Sequence, residues 1–398
     1  MATDKRTAPT LKERRLATLR RTGVADRHRV ALEKPSAAFF WILIIVISFV
    51  MLGLVMVLSS SSVTNLHSGG SAWEMLQRQL IWAALGAFAM WAAYELPYET
   101  WRNPRLLMPV VLTVAGLNAA VILKGAWLNG ARAWLDIGPF RMQPSEFMKI
   151  AVVLFCANLL SHRHRSVQIT SIVLWPMIAA LTVSAGLCAF QKDFGGSLIF
   201  GGVVLAMMFI AGLPLRQLAA TTVSVAILGV FVLKFASNAS ARMLAFMHLD
   251  ATKEDSGYQV YQSLLSIANG GWSGTGIGSG TSKWGYVPLA YSDFIFSVIA
   301  EELGIFGSLM VIGGFLALVI FGLQVALSAP DTHGAFIAGG ISAWFGVQAL
   351  VNVGGVVGAL PMTGLTLPFL SYGGSSLIAS MAAAGLLLNV ARDVKTSH

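Results

Sequence analysis

Charge is scarce in this chain. Asp, Glu, Lys and Arg make up 11% of its 398 residues, against about 25% in an ordinary soluble domain. With 56% hydrophobic residues and a mean hydropathy of +0.71, that scarcity excludes a soluble enzyme, a disordered chain and a nucleic-acid binder. Cysteine is scarcer still. Cys156 and Cys188 both lie inside apolar runs, which implies neither a disulfide nor a metal site. The long apolar runs also lack Asp, Glu, Lys, Arg and His through their middles. Ion-coupled transporters place ionisable residues or broken helices near the bilayer midplane. Their absence favours chemistry at a membrane surface and leaves lipid scrambling along a groove open.

The apolar runs predict an all-α polytopic membrane protein. Each is close to the roughly 20 residues that cross a hydrocarbon core. The expected spans are 38–58, 80–96, 106–123, 146–161, 170–189, 196–213, 217–235, 302–327, 334–352 and 374–391, ten helices in all. The stretch 292–329 is too long for one crossing and contains Glu301 and Glu302, so 293–301 reads as a shorter helix or re-entrant segment. Forty glycines without a collagen-like period suit close helix packing in lipid.

Domain limits follow from charge. Residues 1–37 hold ten Lys/Arg and four acids. They read as a cytoplasmic basic tail that orients the first span and touches anionic lipid. Residues 38–392 form the membrane domain, with 393–398 a cytoplasmic end. Both termini are then inside. Outside the tail, the basic residues favour the external side by ten to seven. An anionic ligand handled on the outer face would explain that excess, as would long loops. The external connections are long at 124–145 and longest at 236–292, between the seventh and eighth helices. Long ordered loops tend to be functional.

Five constellations carry candidate chemistry. Arg132-Ala-Trp134-Leu-Asp136 precedes Gln143-Pro144-Ser145-Glu146-Phe-Met-Lys149, where Glu146 and Lys149 share a helical face. They are either a structural ion pair or a pair that positions a polar substrate. In Gln191-Lys192-Asp193-Phe-Gly195-Gly196, Asp193 reads first as a helix cap. The segment from Gly270 to Pro288, with Lys283, is glycine-rich but lacks the βαβ context and Gly-Lys-Ser/Thr of a phosphate loop. Tyr291-Ser292-Asp293-Phe-Ile-Phe places a carboxylate on the lip of an apolar segment, as a cap or as a general base whose pKa desolvation raises. Glu301 and Glu302 follow, to pair with basic residues or to bind a cation. Last, Pro361 to Ser376, with Ser371 and Ser375, holds two prolines and three glycines and cannot be one helix. Such backbone belongs where protein or a wet cavity covers it.

These motifs, in this order, resemble the SEDS proteins (shape, elongation, division and sporulation). The resemblance rests on Asn129-Gly-Ala-Arg132-Ala-Trp134, Gln143-Pro-Ser-Glu146, Ser292-Asp293-Phe-Ile-Phe, Glu301-Glu302-Leu-Gly and Leu367-Pro-Phe-Leu-Ser371-Tyr-Gly-Gly-Ser375-Ser. It covers about 39–392 and fits the division branch better than the elongation branch, on Gly364-Leu-Thr-Leu-Pro and Gly385-Leu-Leu-Leu-Asn. It implies a ten-helix glycosyltransferase of the bacterial plasma membrane, working at the division septum. Its substrate would be lipid II, the undecaprenyl-pyrophosphate-linked disaccharide pentapeptide. Asp293 would match the family's essential loop aspartate, and Glu146 and Lys149 its polar pair. Arg132, Lys283 or a divalent cation, Mg²⁺ or Mn²⁺, would neutralise the leaving pyrophosphate. The implied partners are a class B penicillin-binding protein and other divisome membrane proteins. The small residues Ala338, Gly339 and Gly340 on the ninth span are the expected face for the partner's helix. The chain departs from the family pattern at Ala133, Lys192 and Leu289, where Arg, Pro and Glu are common.

Overall fold

The computed structural model describes residues 36–67, 69–128, 130–138, 140–163, 170–235 and 237–394. Nearly all of the basic tail, and Asn129, lie outside them. The chain is an all-α polytopic membrane protein. Its helices are α1 Ala37–His67, α2 Glu74–Glu95, α3 Pro104–Lys124, α4 Pro144–His162, α5 Thr170–Phe190, α6 Phe194–Ile210 and α7 Leu215–Phe235. After the short helices α8 Ser237–Met247, α9 Leu249–Thr252 and α10 Tyr258–Gly270 come α11 Ile295–Ser328, α12 Thr332–Val356 and α13 Gly374–Arg392. Seven of these are long and apolar enough to cross a membrane: α1, α3, α4, α5, α11, α12 and α13. α6 and the first part of α7 are shorter apolar helices. α2, with charges at its ends, packs extensively against α13. Gly385 allows this, because a Cβ there would strike the backbone of Met90.

Local sequence sets the boundaries. Asn103 caps α3 by accepting the Arg105 N–H at 3.0 Å, with Pro104 at the first helical position. Asp331 caps α12 through the Gly334 N–H at 2.8 Å. Each expected span coincides with a helix. α1 runs beyond its expected end to His67, and α2 begins at Glu74. The segment 293–301 and the eighth span are one run, α11, broken at Gly304 by φ 66° and ψ −160°. A Cβ at Gly304 would lie 2.5 Å from the Trp272 carbonyl oxygen, so only glycine fits both the conformation and the contact.

Two expected loops are built structures. The 124–145 connection is a three-stranded antiparallel sheet in the order β1 Ala126–Leu128, β2 Ala131–Ile137, β3 Phe140–Met142. The Asn129-Gly130 pair between alternating residues is a hairpin signal of ordinary kind. The 236–292 connection contains α8 to α10. The helix ends therefore divide into a long-loop face, with the sheet, α8 to α10 and the 357–373 segment, and a short-loop face.

α12 is the central helix. It packs against α4, α6 and α11 and buries Trp344 and Phe345 completely. This corrects the expected partner face. A Cβ on Gly339 would meet Ile210 Cδ1 at 3.0 Å, and one on Gly340 would meet Val153 Cγ1 at 2.8 Å. Both glycines serve packing inside the protein and are closed to a partner.

Candidate active site

At the long-loop face a cavity of about 2180 Å³ opens between α5, α6, α7, α8 and the 360–374 segment. Trp134, Gln143, Glu146, Asp193, Arg242 and Asp293 all line it. Its walls further down are apolar or weakly polar and reach Leu174 and Arg216, at the short-loop ends of α5 and α7.

Asp293 sits two residues before α11 on the cavity wall. Ser292 Oγ donates to its Oδ1 at 2.9 Å. Burial pushes its carboxyl up to about 6, against smaller opposing effects of the Ser292 hydrogen bond and Arg242. Arg242, on α8, donates to the Thr363 carbonyl at 2.8 Å. A Cβ on Gly364 would lie 3.3 Å from Arg242 Nη1 and 3.5 Å from Asp293 Oδ2. Gly364 at φ 75° therefore leaves an open spot that a carboxylate and a guanidinium both face. Asp193 caps α6 through the Gly196 N–H at 2.8 Å, and Gln143 Nε2 reaches its Oδ2 at 3.5 Å. Desolvation raises its carboxyl too.

One face of α12 holds this arrangement in place. Lys149 Nζ donates to both Glu146 oxygens at 2.8 Å and to Gln348 Oε1 at 2.9 Å. The pair is fully buried, with side chains 1% and 5% exposed. Trp344 Nε1 also donates to Gln348 Oε1, at 2.6 Å, and Gln348 Nε2 donates to the Thr366 carbonyl at 2.8 Å. One turn on, Asn352 Nδ2 donates to the carbonyls of Asp293 at 2.9 Å and Leu365 at 2.6 Å. The Glu146–Lys149 pair, the irregular 361–373 segment and the Asp293 peptide thus share one support.

Other expected site residues are engaged elsewhere. Arg132 is turned away from the cavity onto the carbonyls of Ile122, Leu123 and Gly125, at 2.8–3.0 Å, where it closes the C-terminus of α3. Lys283 donates to the Gly278 carbonyl, outside the cavity lining. Glu301 is completely buried and accepts from the backbone and hydroxyls of Thr281 and Ser282. Glu302 accepts from Ser59 Oγ at 2.6 Å and the Gly278 N–H at 3.0 Å. These carboxylates fasten the glycine-rich loop, and among the described residues neither forms an ion pair with a basic side chain. Ser371 accepts the Leu367 N–H and donates to the Ser292 carbonyl, and Ser375 accepts the Gln143 N–H. Both brace the site from behind. Among the described residues no three His, Cys, Asp or Glu side chains gather to hold a metal, so these residues form no protein cage for Mg²⁺ or Mn²⁺. Arg242, Gln348 and Asn352 were not expected as site residues. Gln348 and Asn352 stand four apart in an apolar span, a pattern that marks a buried polar face.

A carboxylate and a guanidinium thus face one open spot at the mouth of a long, largely apolar cavity in a polytopic membrane protein. Comparison with known proteins gives the family. The family model described as "Cell cycle protein", covering FtsW, RodA and SpoVE, matches residues 40–396. A probable peptidoglycan glycosyltransferase FtsW of Geobacter metallireducens is 37% identical over 356 residues, 89% of this chain and 94% of the relative. Stage V sporulation protein E of Bacillus subtilis is 34% identical, over 90% of this chain and 98% of the relative. Among solved structures, one described as structural coordination of polymerization and crosslinking by a peptidoglycan synthase complex matches with a TM-score of 0.73 and 30% identity, over 89% of this chain and 98% of that one. Rod shape determining protein RodA of Thermus thermophilus matches with a TM-score of 0.65 and 28% identity, over 89% and 97%. The chain belongs to the FtsW/RodA/SpoVE family.

Proposed function

We propose that this protein is a peptidoglycan glycosyltransferase that polymerises lipid II at the outer face of the bacterial plasma membrane, in septal wall synthesis. The observation that carries the reading is the half-buried Asp293 carboxylate at the cavity wall, facing the same open spot as Arg242. The long-loop face is then the outer face. The acceptor sugar hydroxyl attacks the anomeric carbon of the donor. A carbon–oxygen bond forms there as the bond to the pyrophosphate oxygen breaks, with inversion. Asp293 takes the hydroxyl proton, and undecaprenyl pyrophosphate leaves with the electron pair. Arg242, rather than Arg132 or Lys283, is placed to offset the pyrophosphate charge. The apolar walls along α5 to α7 hold a prenyl tail.

Glycan strands alone do not make a wall, so a cross-linking partner follows from the chemistry. A class B penicillin-binding protein, itself membrane-anchored, fits that role, and other division proteins would place the pair at the septum. A second reading, movement of the same lipid between leaflets, is supported by the reach of the cavity to Arg216 at its other end. The test is Asp293→Asn. Polymerisation should fall about 10²–10⁴-fold while lipid II binding stays. Undiminished glycan synthesis would leave Asp293 a helix-end residue and favour the second reading.

A further inference from the structure

We infer that the glycine-rich loop seats Trp272 and Ile277 in the headgroup layer of the outer leaflet, as an interfacial anchor beside the site. The inference takes the long-loop face as outer, as the proposed function does, but its test does not depend on catalysis.

Helix geometry gives the height. At about 1.5 Å per residue, the part of α11 from 305 to 328 spans roughly 36 Å. Ser59 lies roughly 33 Å along α1 from Ala37. Both distances slightly exceed the about 30 Å of a hydrocarbon core. The Ser59–Glu302 hydrogen bond of 2.6 Å therefore marks the level where the core gives way to headgroups.

The loop is fixed to that level. Ile305 N–H donates to the Gly271 carbonyl at 3.0 Å, Thr275 N–H to that of Glu301 at 2.9 Å, and Gly276 N–H to that of Glu302 at 3.0 Å. With the two carboxylates turned inward onto Gly278, Thr281 and Ser282, no acidic group of this junction faces outward. The segment 271–286 itself contains no Asp or Glu.

What faces outward is apolar. Trp272 is 74% exposed and Ile277 58%. The loop that carries them is held against Glu302, Gly304 and Ile305, at the head of the exposed stripe Phe306, Leu309 and Met310 of α11, whose large apolar side chains can only face lipid or a helix within the membrane. Trp272 continues that stripe across the boundary, at the depth where tryptophan is enriched in membrane proteins. Because Glu301 and Glu302 belong to the helical segment that follows Asp293, an anchored loop fixes the height of that carboxylate against the headgroups.

The experiment is depth measurement by spin label on the full chain in vesicles of phosphatidylethanolamine and phosphatidylglycerol. Labels are placed at Ile277→Cys and Trp272→Cys, with Glu254→Cys as the aqueous reference and Phe306→Cys as the lipid reference. Native Cys156 and Cys188 are completely buried and escape labelling. Labels at 277 and 272 should be more accessible to oxygen and less to a water-soluble nickel chelate than the one at 254. Labels at both positions that match the one at 254 would overturn the inference. So would protection that appears only when a protein partner is added, which would make the patch a protein-docking surface.

Discussion

Asp293 and Arg242 form a pair whose effects have opposite sign. Burial holds Asp293 near 6, so the base is ionised above that pH and lost below it. Polymerisation should fall as pH drops through about 6. Arg242 favours the charged carboxylate, so Arg242→Gln should move the acid limb of the rate profile to higher pH, besides lowering the rate. An unmoved limb would separate Arg242 from Asp293. Stability runs the other way. The ordinary carboxylate value is 3.8, and a raised folded value means that ionisation opposes folding. Its stabilising share is present at low pH and is lost as pH rises through about 6. Asp293→Asn should therefore unfold later than the parent above that pH, by up to about 3 kcal/mol, and alike below pH about 4. Melting curves at both pH values check this.

At the scale of elements, α12 links two parts of the site, and the Glu146–Lys149 pair shows what burial does. Glu146→Ala leaves Lys149 buried against Gln348 and Trp344 and should cost about 3–5 kcal/mol. Glu74→Ala breaks the Glu74–Arg78 pair, which is 46% and 61% exposed, and should cost under about 1 kcal/mol. Comparable thermal stability of the two variants would contradict the buried placement. The spans were legible because apolar runs of helical length are a strong and local signal. Asp293 stands out in the sequence as a carboxylate on the lip of an apolar run, open there as a cap or as a base, and the fold puts it on the cavity wall without a cap hydrogen bond. Arg132 misled, because a basic residue next to a polar motif does not reveal that helix-end carbonyls already hold it. Arg242 stayed hidden for the opposite reason. Its meaning comes from Thr363 and Gly364, far along the chain, which only the fold brings beside it. Gly339 and Gly340 read as an outward face because small residues look alike whether they admit a partner or a neighbouring helix of the same chain.

The whole molecule combines a deeply buried centre around α12 and α13 with a cavity along α5 to α7 that is open at the face bearing Asp293. Reporters fused before Met1 or after His398 should be cytoplasmic, and one within 237–290 external; an external terminus would put the site on the wrong side for wall synthesis. The most direct test of the central claim is a balance sheet on lipid II in vesicles containing the full chain and its cross-linking partner. Lipid II consumed, glycan strands formed and undecaprenyl pyrophosphate released are measured together for the parent and for Asp293→Asn. Matched consumption and release in the parent, with both lost in the variant while lipid II still binds, is the predicted result. Lipid II that crosses the bilayer unconsumed, equally in parent and variant, would contradict it.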